Sequence, residues 1–249
     1  QLHSVFSRSR AGQPYASAAP ELMGFLDLVL EPIPQQFDGL DVLLLATPHG
    51  AAAELIPLTS EIPLVIDLSR DHRHVEGWVY GQPEWRREEL VGAKRISAPG
   101  CFATALSLGC APLVAANVLT GPVRICAATG STGSGASPSH TTHHPERFSN
   151  LRAYKVFQHQ HVPEIQSFLN HLGASPALDF VPLSAPIDRG IFATIFADVQ
   201  ADVDATVLFE QAYAAKPLIR LRQGSPDLRT LRGTALADIT IHQDNTTVA

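Results

Sequence analysis

No stretch of this sequence reaches the about 18 consecutive uncharged apolar residues that a membrane-spanning helix requires, and the opening "QLHSVFSRSR" has no apolar centre of the kind a secretory signal carries. The cytoplasm is therefore the expected location, and a membrane is not an expected partner. Cysteine is scarce: Cys101, Cys110 and Cys126 are three, an odd number, with no C-x-x-C pair, which argues against a disulfide framework, a zinc site or a dithiol redox centre. Positive charge is short as well. With 18 Lys and Arg against 24 Asp and Glu the formal net charge is −6, so there is no basic field for a phosphate backbone and nucleic acid is not an expected partner. Two glycine motifs are missing. No strand-like run leads into G-x-G-x-x-G, so any dinucleotide site must be incomplete in this sequence or built by other means. No G-x-S-x-G supports a serine-hydrolase elbow. Internal repeats, low-complexity tracts and flexible linkers are also absent.

What is present is the composition of a compact folded protein: 45% hydrophobic and 17% charged residues over 249 positions suffice for one large domain or two modest ones. "DVLLLATPHG" (residues 41–50) and "IPLVIDLSRD" (62–71) are apolar runs that end in polar and turn residues, with room for a short helix between them. They read as parallel strands buried on both faces, and ligands of such sheets sit at the carboxyl ends of the strands. "FATALSLGCAPLVAANVL", after Cys101, has helical composition, with a break or kink expected at Pro112. "VRICAATG" reads as a further strand. Beyond it "GIFATIFADVQ", "PLIRLRQG" and "ALADITIHQDNTTVA" have strand composition and "DATVLFEQAYAAK" helical periodicity. This predicts a second, α+β domain with an antiparallel sheet, the boundary falling close to residues 96–101.

Three places could carry chemistry. Cys101 follows Pro99-Gly100 at the entrance of the predicted helix, where unpaired N–H groups and the macrodipole favour a thiolate. Cysteine is also among the most buried residue types, and small residues such as Ala103 and Ala105 pack helices on sheets, so the local sequence leaves both readings open. Cys110 and Cys126, inside apolar runs, read as packing residues. Second, five of the eleven histidines fall in residues 127–165: His140, His143, His144, His159 and His161. "HTTHH" and "HQH" lack the spacing and the cysteine or carboxylate complement of a zinc quartet, so no metal is expected and most of these read as solvated loop residues. His161 differs, because "VPEIQSFLNHL" behind it begins like a helix. Third, "TGSTGSG" can form an anion-binding nest or a flexible loop, and "SRSR" (Ser7, Arg8, Ser9, Arg10) a phosphate contact or a solvated turn.

Taken together, "SRSRAG", "ATPHG", "VIDLSRDHR", "APGCFATALSLG", "HQHVPEI" and "PIDRGIFAT", in this order between residues 7 and 194, resemble the N-acetyl-gamma-glutamyl-phosphate reductase family and its relative that reduces carrier-protein-linked aminoadipyl phosphate in lysine biosynthesis. The resemblance implies an α/β fold with a Rossmann-like parallel-sheet nucleotide domain over residues 1–100, incomplete at its N-terminus. An α+β substrate and dimerisation domain with a mixed or antiparallel sheet follows over residues 101–249, without the family's C-terminal return segment. It implies Cys101 as the catalytic thiol and His161 as acid/base; NADP as cofactor, held by Ser7, Arg8, Ser9 and Arg10 with Thr47, Pro48 and His49 alongside; and Ser131, Ser134, Glu164 and Arg189 toward the substrate. The reaction implied is NADPH-dependent reductive dephosphorylation of a small acyl phosphate in arginine biosynthesis, by a homodimer or homotetramer. The alternatives are an aminoadipyl phosphate borne on a small acidic carrier protein, an enzyme like aspartate-semialdehyde dehydrogenase, and a non-catalytic oligomerising domain.

Overall fold

The computed structural model describes residues 1–135 and 137–249; Ala136, in the histidine-rich segment, lies outside the described residues. The chain divides into two compact units, Gln1–Gly81 with Glu88–Ala98, and Gln82–Arg87 with Pro99–Ala249.

In the first unit β1 (Val5–Phe6) pairs in parallel with β2 (Leu30–Glu31). The apolar runs form β3 (Val42–Leu45) and, after the short helix α1 (Ala52–Leu55), β4 (Leu64–Asp67). β5 (Val79–Tyr80) and β6 (Arg95–Ser97) flank helix α2 (Pro83–Leu90), which is interrupted at Arg86 and whose residues up to Arg87 group with the second unit. The sheet runs β3-β4-β6-β5 with every neighbouring pair parallel. The expectation that β3 is buried on both faces does not hold. Leu43 and Leu45 enter a core with Phe37, Ala52, Leu55, Ile62 and Val65, while Val42 and Leu44 are 46% and 58% exposed. The period-two alternation of a strand divides the run between two faces, and α1 and the turn Ile56–Thr59 bring their side chains to one of them.

The second unit begins with α3 (Cys101–Ala115) and β7 (Val123–Thr129), followed by α4 (His144–Arg147), β8 (Arg152–Ala153), α5 (His161–His171), β9 (Leu178–Ser184) and β10 (Ile191–Asp198). It continues through α6 (Ala205–Tyr213), β11 (Ile219–Leu221), α7 (Leu228–Leu231), β12 (Ala237–Ile239), β13 (Gln243–Asp244) and β14 (Thr247–Val248). Its sheet runs β13-β14-β10-β7-β9-β8 and is mixed: β7 and β9 are parallel, the other neighbours antiparallel. β11 and β12 form a separate parallel pair. α3 and α5 pack together against one face of the sheet, joining Phe102, Leu106, Ile165 and Leu169 to Val123, Ile125 and Phe180 in the core. Gly109 lets α3 approach β10, since a Cβ there would run into the Ile195 side chain. Cys126, read from its apolar neighbours as a packing residue, is exposed, because Val123, Ile125 and Ala127 take the buried side of β7.

Pro112 does not break α3, which continues to Ala115. A proline removes the N–H that would have bonded the carbonyl four residues earlier, here that of Leu108. The Tyr213 hydroxyl donates to this Leu108 carbonyl at 2.5 Å, and Trp85 Nε1–H donates to Tyr213 Oη at 3.2 Å. Burial raises the Tyr213 pKa, so the phenol stays a donor. Tyr213→Phe therefore strands a buried carbonyl and should cost about 1–3 kcal/mol in urea unfolding. Adding Pro112→Ala, which restores an N–H to the helix, should recover much of that loss. A Tyr213→Phe chain as stable as the parent would remove this account of the helix.

Candidate active site

Cys101 is the first residue of α3, exposed at the helix N-terminus, with Gly100 extended before it at φ −70°, ψ 156°. The Gly100 carbonyl accepts both the backbone N–H and the hydroxyl of Thr104, at 2.8 and 3.1 Å. The Gly100 N–H donates to Glu164 Oε1 at 2.8 Å, a buried contact between the entrance of α3 and the first turn of α5. His161 opens α5, so one carboxylate fastens the two helix starts that carry the predicted thiol and histidine. Glu164 is 3% exposed. Its geometry is that of a brace beneath the site rather than a group turned to solvent.

The ring of Phe102, beside Cys101, packs edge-on to His159, His161 and Phe180, with centroids 5.3, 6.2 and 5.2 Å away. The two histidine rings lie 4.8 Å apart, and Tyr154 stands 5.7 Å from His159. The His161 N–H donates to His159 Nδ1 at 3.2 Å, which puts the His159 proton on Nε2. Burial, the neighbouring His161 and Lys155 push the His159 pKa down to about 4, so this imidazole is neutral at physiological pH. The Tyr154 phenol is pushed up to about 12 by burial and by negative charge at Cys101, against the pull of Arg147. Tyr154 thus keeps its phenolic proton at neutral pH. Arg147 in turn donates to Ser184 Oγ at 2.7 Å and to the Ala185 and Thr129 carbonyls at 3.1 and 3.2 Å.

The "TGSTGSG" segment is neither a nest nor a loose loop in its first half. The N–H groups of Gly130, Ser131 and Thr132 donate to the carbonyls of Gly190, Ile187 and Asp188 at about 3.0 Å each. The Ser131 hydroxyl reaches the Ile187 and Asp188 carbonyls at 3.3 Å, and Thr132 Oγ1–H reaches Asp188 O at 3.1 Å. A Cβ at Gly130 would lie 2.7 Å from the Arg189 backbone nitrogen, so only glycine admits this clasp. Ser131 is spent on it, Ser134 is exposed, and the clasp fixes the backbone of Arg189. Arg189 and Cys101 border one largely apolar cavity of about 530 Å3 within this unit, with Arg232, itself paired with Asp188, also on its lining.

In the first unit, Ser7 to Arg10 follow β1 directly, with Ser7 Oγ accepting the Arg10 N–H at 3.2 Å. The Arg8 guanidinium rests against Glu54 of α1 at 2.7 Å, both side chains exposed, and Arg10 is exposed with no ion pair among the described residues. Thr47, Pro48 and His49 follow β3. His49 Nδ1 accepts the Arg70 N–H at 3.2 Å, and the Asp71 carboxylate accepts the N–H of Gly50 at 2.8 Å and of Ala52 at 3.1 Å. Burial works to raise the Asp71 pKa, but the N–H groups of Gly50, Ala52 and Ala53 prevail and lower it. The Thr47 hydroxyl is buried and has no hydrogen-bond partner among the described residues. Arginines after β1 and a hydroxyl after β3 are groups of the kind that bind phosphate and ribose.

Residues 1–93 match the family described as semialdehyde dehydrogenase, NAD binding domain, and residues 101–249 that described as semialdehyde dehydrogenase, dimerisation domain. The chain is 37% identical to the N-acetyl-gamma-glutamyl-phosphate reductase of Nitrosococcus oceani, over 98% of its own length and 78% of the relative's. It is 37% identical to the enzyme of that name from Bacillus cereus (99% and 80% covered) and 33% to that from Methanococcus maripaludis (96% and 77%). The chain belongs to the N-acetyl-gamma-glutamyl-phosphate reductase family. Its fold is that of solved semialdehyde dehydrogenases. Aspartate semialdehyde dehydrogenase II from Vibrio cholerae superimposes with a TM-score of 0.76 at 14% identity, covering 98% of this chain and 82% of that one. A probable aspartate-semialdehyde dehydrogenase from Pseudomonas aeruginosa does so at 0.72 and 17%, covering 99% and 83%.

In the second unit Glu164 joins the helix starts of Cys101 and His161, and Arg189 shares a cavity lining with Cys101; in the first, Ser7 to Arg10 follow β1 and Thr47 to His49 follow β3. His140, His143 and His144 stay exposed, and among the described residues no three His, Cys, Asp or Glu side chains converge as metal ligands. Tyr154, Arg147 and Phe102 were missed. Tyr154 sits five residues before His159, but nothing in "RAYKVF" distinguishes a site tyrosine from a strand tyrosine. Phe102 reads as one more apolar helix residue.

Proposed function

We propose that this chain catalyses the NADPH-dependent reduction of N-acetyl-gamma-glutamyl phosphate to the semialdehyde in arginine biosynthesis, in the cytoplasm, through a thioester on Cys101. The observation that supports this most is the Glu164 brace, which holds the helix start carrying Cys101 and the helix start carrying His161 to each other. The Cys101 thiolate attacks the acyl carbon, the C–O bond to phosphate breaks, and inorganic phosphate leaves with the electron pair. NADPH, when bound, supplies the hydride that reduces the thioester carbonyl. His161 gives its proton to the oxyanion that develops there and takes it back as the thiohemiacetal collapses, freeing the aldehyde and restoring the thiolate. His159, neutral with its proton on Nε2, is a hydrogen-bond donor to the same oxygen, and Arg189 receives the substrate's carboxylate. NADPH oxidation and phosphate release in equal amounts, dependent on the acetylglutamyl phosphate, tests the reading. Turnover only with the carrier-linked aminoadipyl phosphate, or with neither, overturns it.

The same reading makes the cofactor NADP rather than NAD. No acidic residue lies between Leu2 and Gly12 to accept bonds from a free ribose, whereas Arg8 and Arg10 can neutralise a 2′-phosphate. Each charge-assisted bond contributes about 1.5–3 kcal/mol, less at an exposed position where Glu54 already engages Arg8. Arg8→Ala with Arg10→Ala should thus raise KM for NADPH roughly ten- to a hundredfold and leave KM for NADH nearly unchanged. Equal losses with both cofactors would mean that the arginines support the fold instead.

A second copy pairs, in this reading, through the open face of the second unit's sheet. There Phe192, Ala128 and Leu183 lie side by side across β10, β7 and β9, and Thr194, Cys126 and Val181 form the next row. Phe192 is 39% and Phe196 45% exposed, an apolar surface that calls for a cover. Sedimentation at micromolar concentration tests it, and a monomer there overturns the pairing.

A further inference from the structure

Asp67 is fully buried at the end of β4 and takes no part in the reaction as proposed. Its Oδ1 accepts the Ser69 N–H at 2.8 Å, and its Oδ2 accepts the Ser69 hydroxyl at 2.9 Å and His72 Nδ1–H at 2.6 Å. The His72 ring is buried too, stacked on Trp78 with centroids 4.1 Å apart and planes 17° from parallel. Ser69 Oγ, having donated to Asp67, accepts the Asp71 N–H at 3.0 Å. The turn from Ser69 to Arg73 is thereby fastened from below by one carboxylate and one imidazole.

The upper side of that turn holds other backbone in place. Asp71 binds the N–H groups of Gly50 and Ala52, and the Arg70 N–H binds His49. Arg73 Nε–H donates to the Ala98 carbonyl at 3.0 Å, while the Ala98 N–H returns to the Asp67 carbonyl at 2.7 Å. The turn thus grips the loop after β3 and the residue three before Cys101.

We propose that Asp67 and His72 are positioning residues, a buried pair that sets the Ser69–Arg73 turn and, through Asp71 and Arg70, the backbone of the loop from Thr47 to Ala52. The functional side of this rests on the reading of that loop as a cofactor loop; the structural side does not. A loop held in its binding shape pays less ordering entropy when the ligand arrives, so loosening it weakens binding before it slows chemistry.

The experiment pairs amide hydrogen exchange at Gly50 and Ala52 with steady-state kinetics on the full chain. His72→Ala should speed exchange at both amides by about tenfold or more and raise KM for NADPH by about tenfold, with kcat nearly unchanged, the effect of losing roughly one hydrogen bond. His72→Asn places an amide N–H where Nδ1–H stood and should restore both readouts. Asp71→Asn, on the partly exposed side of the turn, should speed the same amides without disturbing the buried pair, and it carries the test should His72→Ala fail to fold. Unchanged exchange at Gly50 and Ala52 in a folded His72→Ala chain, or in Asp71→Asn, overturns the proposal. Faster exchange with an unchanged KM for NADPH upholds the positioning and sinks the cofactor reading of the loop.

Discussion

Cys101→Ser should abolish acyl-phosphate reduction while leaving the fold intact. Serine keeps the size of the side chain and the helix N-terminus beneath it, but its hydroxyl neither ionises near neutral pH nor leaves readily from a carbonyl carbon. A loss of roughly a thousandfold or more is expected, as for the deletion of other covalent nucleophiles. Because Cys101 is exposed, the change removes no core contact, and stability should stay within about 0.5 kcal/mol. Alkylation supplies an independent check. Cys110 is buried, and burial pushes its thiol up to about 12, so it should resist iodoacetamide in the native state. Cys126 is exposed on the sheet face assigned to the dimer and has no helix N-terminus behind it. Cys101 should label first. Labelling of Cys101 and Cys126 at one rate in the native assembly, or more than a small residue of turnover in Cys101→Ser, would remove Cys101 as the nucleophile.

The elements legible in the sequence are those whose signal is local. β3, β4, β7 and β10 are runs dominated by apolar residues, and α3 is long and built largely of small and aliphatic residues. Where contacts between distant segments decide, local reading fails. Pro112 predicts a break or kink because the compensating hydroxyl of Tyr213 is 105 residues away from the carbonyl it serves. β9 goes unread because "LDFVPLS" contains Pro182, which argues against a strand inside a sheet. The Pro182 carbonyl nonetheless accepts the Tyr154 N–H, so the strand keeps a partner just past the end of β8. Cys126 was misplaced for a simpler reason: an apolar run in a one-sided sheet sends every second residue to the open face.

The candidate site divides in the same way. Cys101 at a helix entrance and His161 at another are visible as Pro-Gly before a helical run and as His-Val-Pro-Glu at the head of one. That the two entrances are fastened by Glu164, 64 residues beyond Gly100, is not. Glu164, which the resemblance implies toward the substrate, accepts the Gly100 N–H. "TGSTGSG" was legible as a special loop but not as a clasp, since its partners, the carbonyls of residues 187 to 190, are backbone atoms that no side-chain pattern announces. "VIDLSRDHR" stood out as a motif, yet its work is done by hydrogen bonds turned inward.

The two histidines of "HQH" should separate cleanly. His161→Asn should lower kcat by about a hundred- to ten-thousandfold, the usual worth of a general acid–base group, whereas His159→Asn should cost at most about tenfold, the worth of one hydrogen bond. The asymmetry follows from protonation. His159, held down to about 4 by burial and by His161 and Lys155, is neutral across the working range and already spends Nδ1 on the His161 N–H. It has no proton to exchange near neutral pH. Its depressed pKa also fixes the sign of its effect on stability: the neutral form is preferred in the fold, so its contribution is full above the ordinary histidine value of 6.5 and is lost as pH falls from there toward 4. His159→Asn should therefore flatten acid unfolding between those values. Were His159→Asn the inactive variant, the roles of the pair would be exchanged; were neither to matter, proton transfer by this pair would no longer be part of the mechanism.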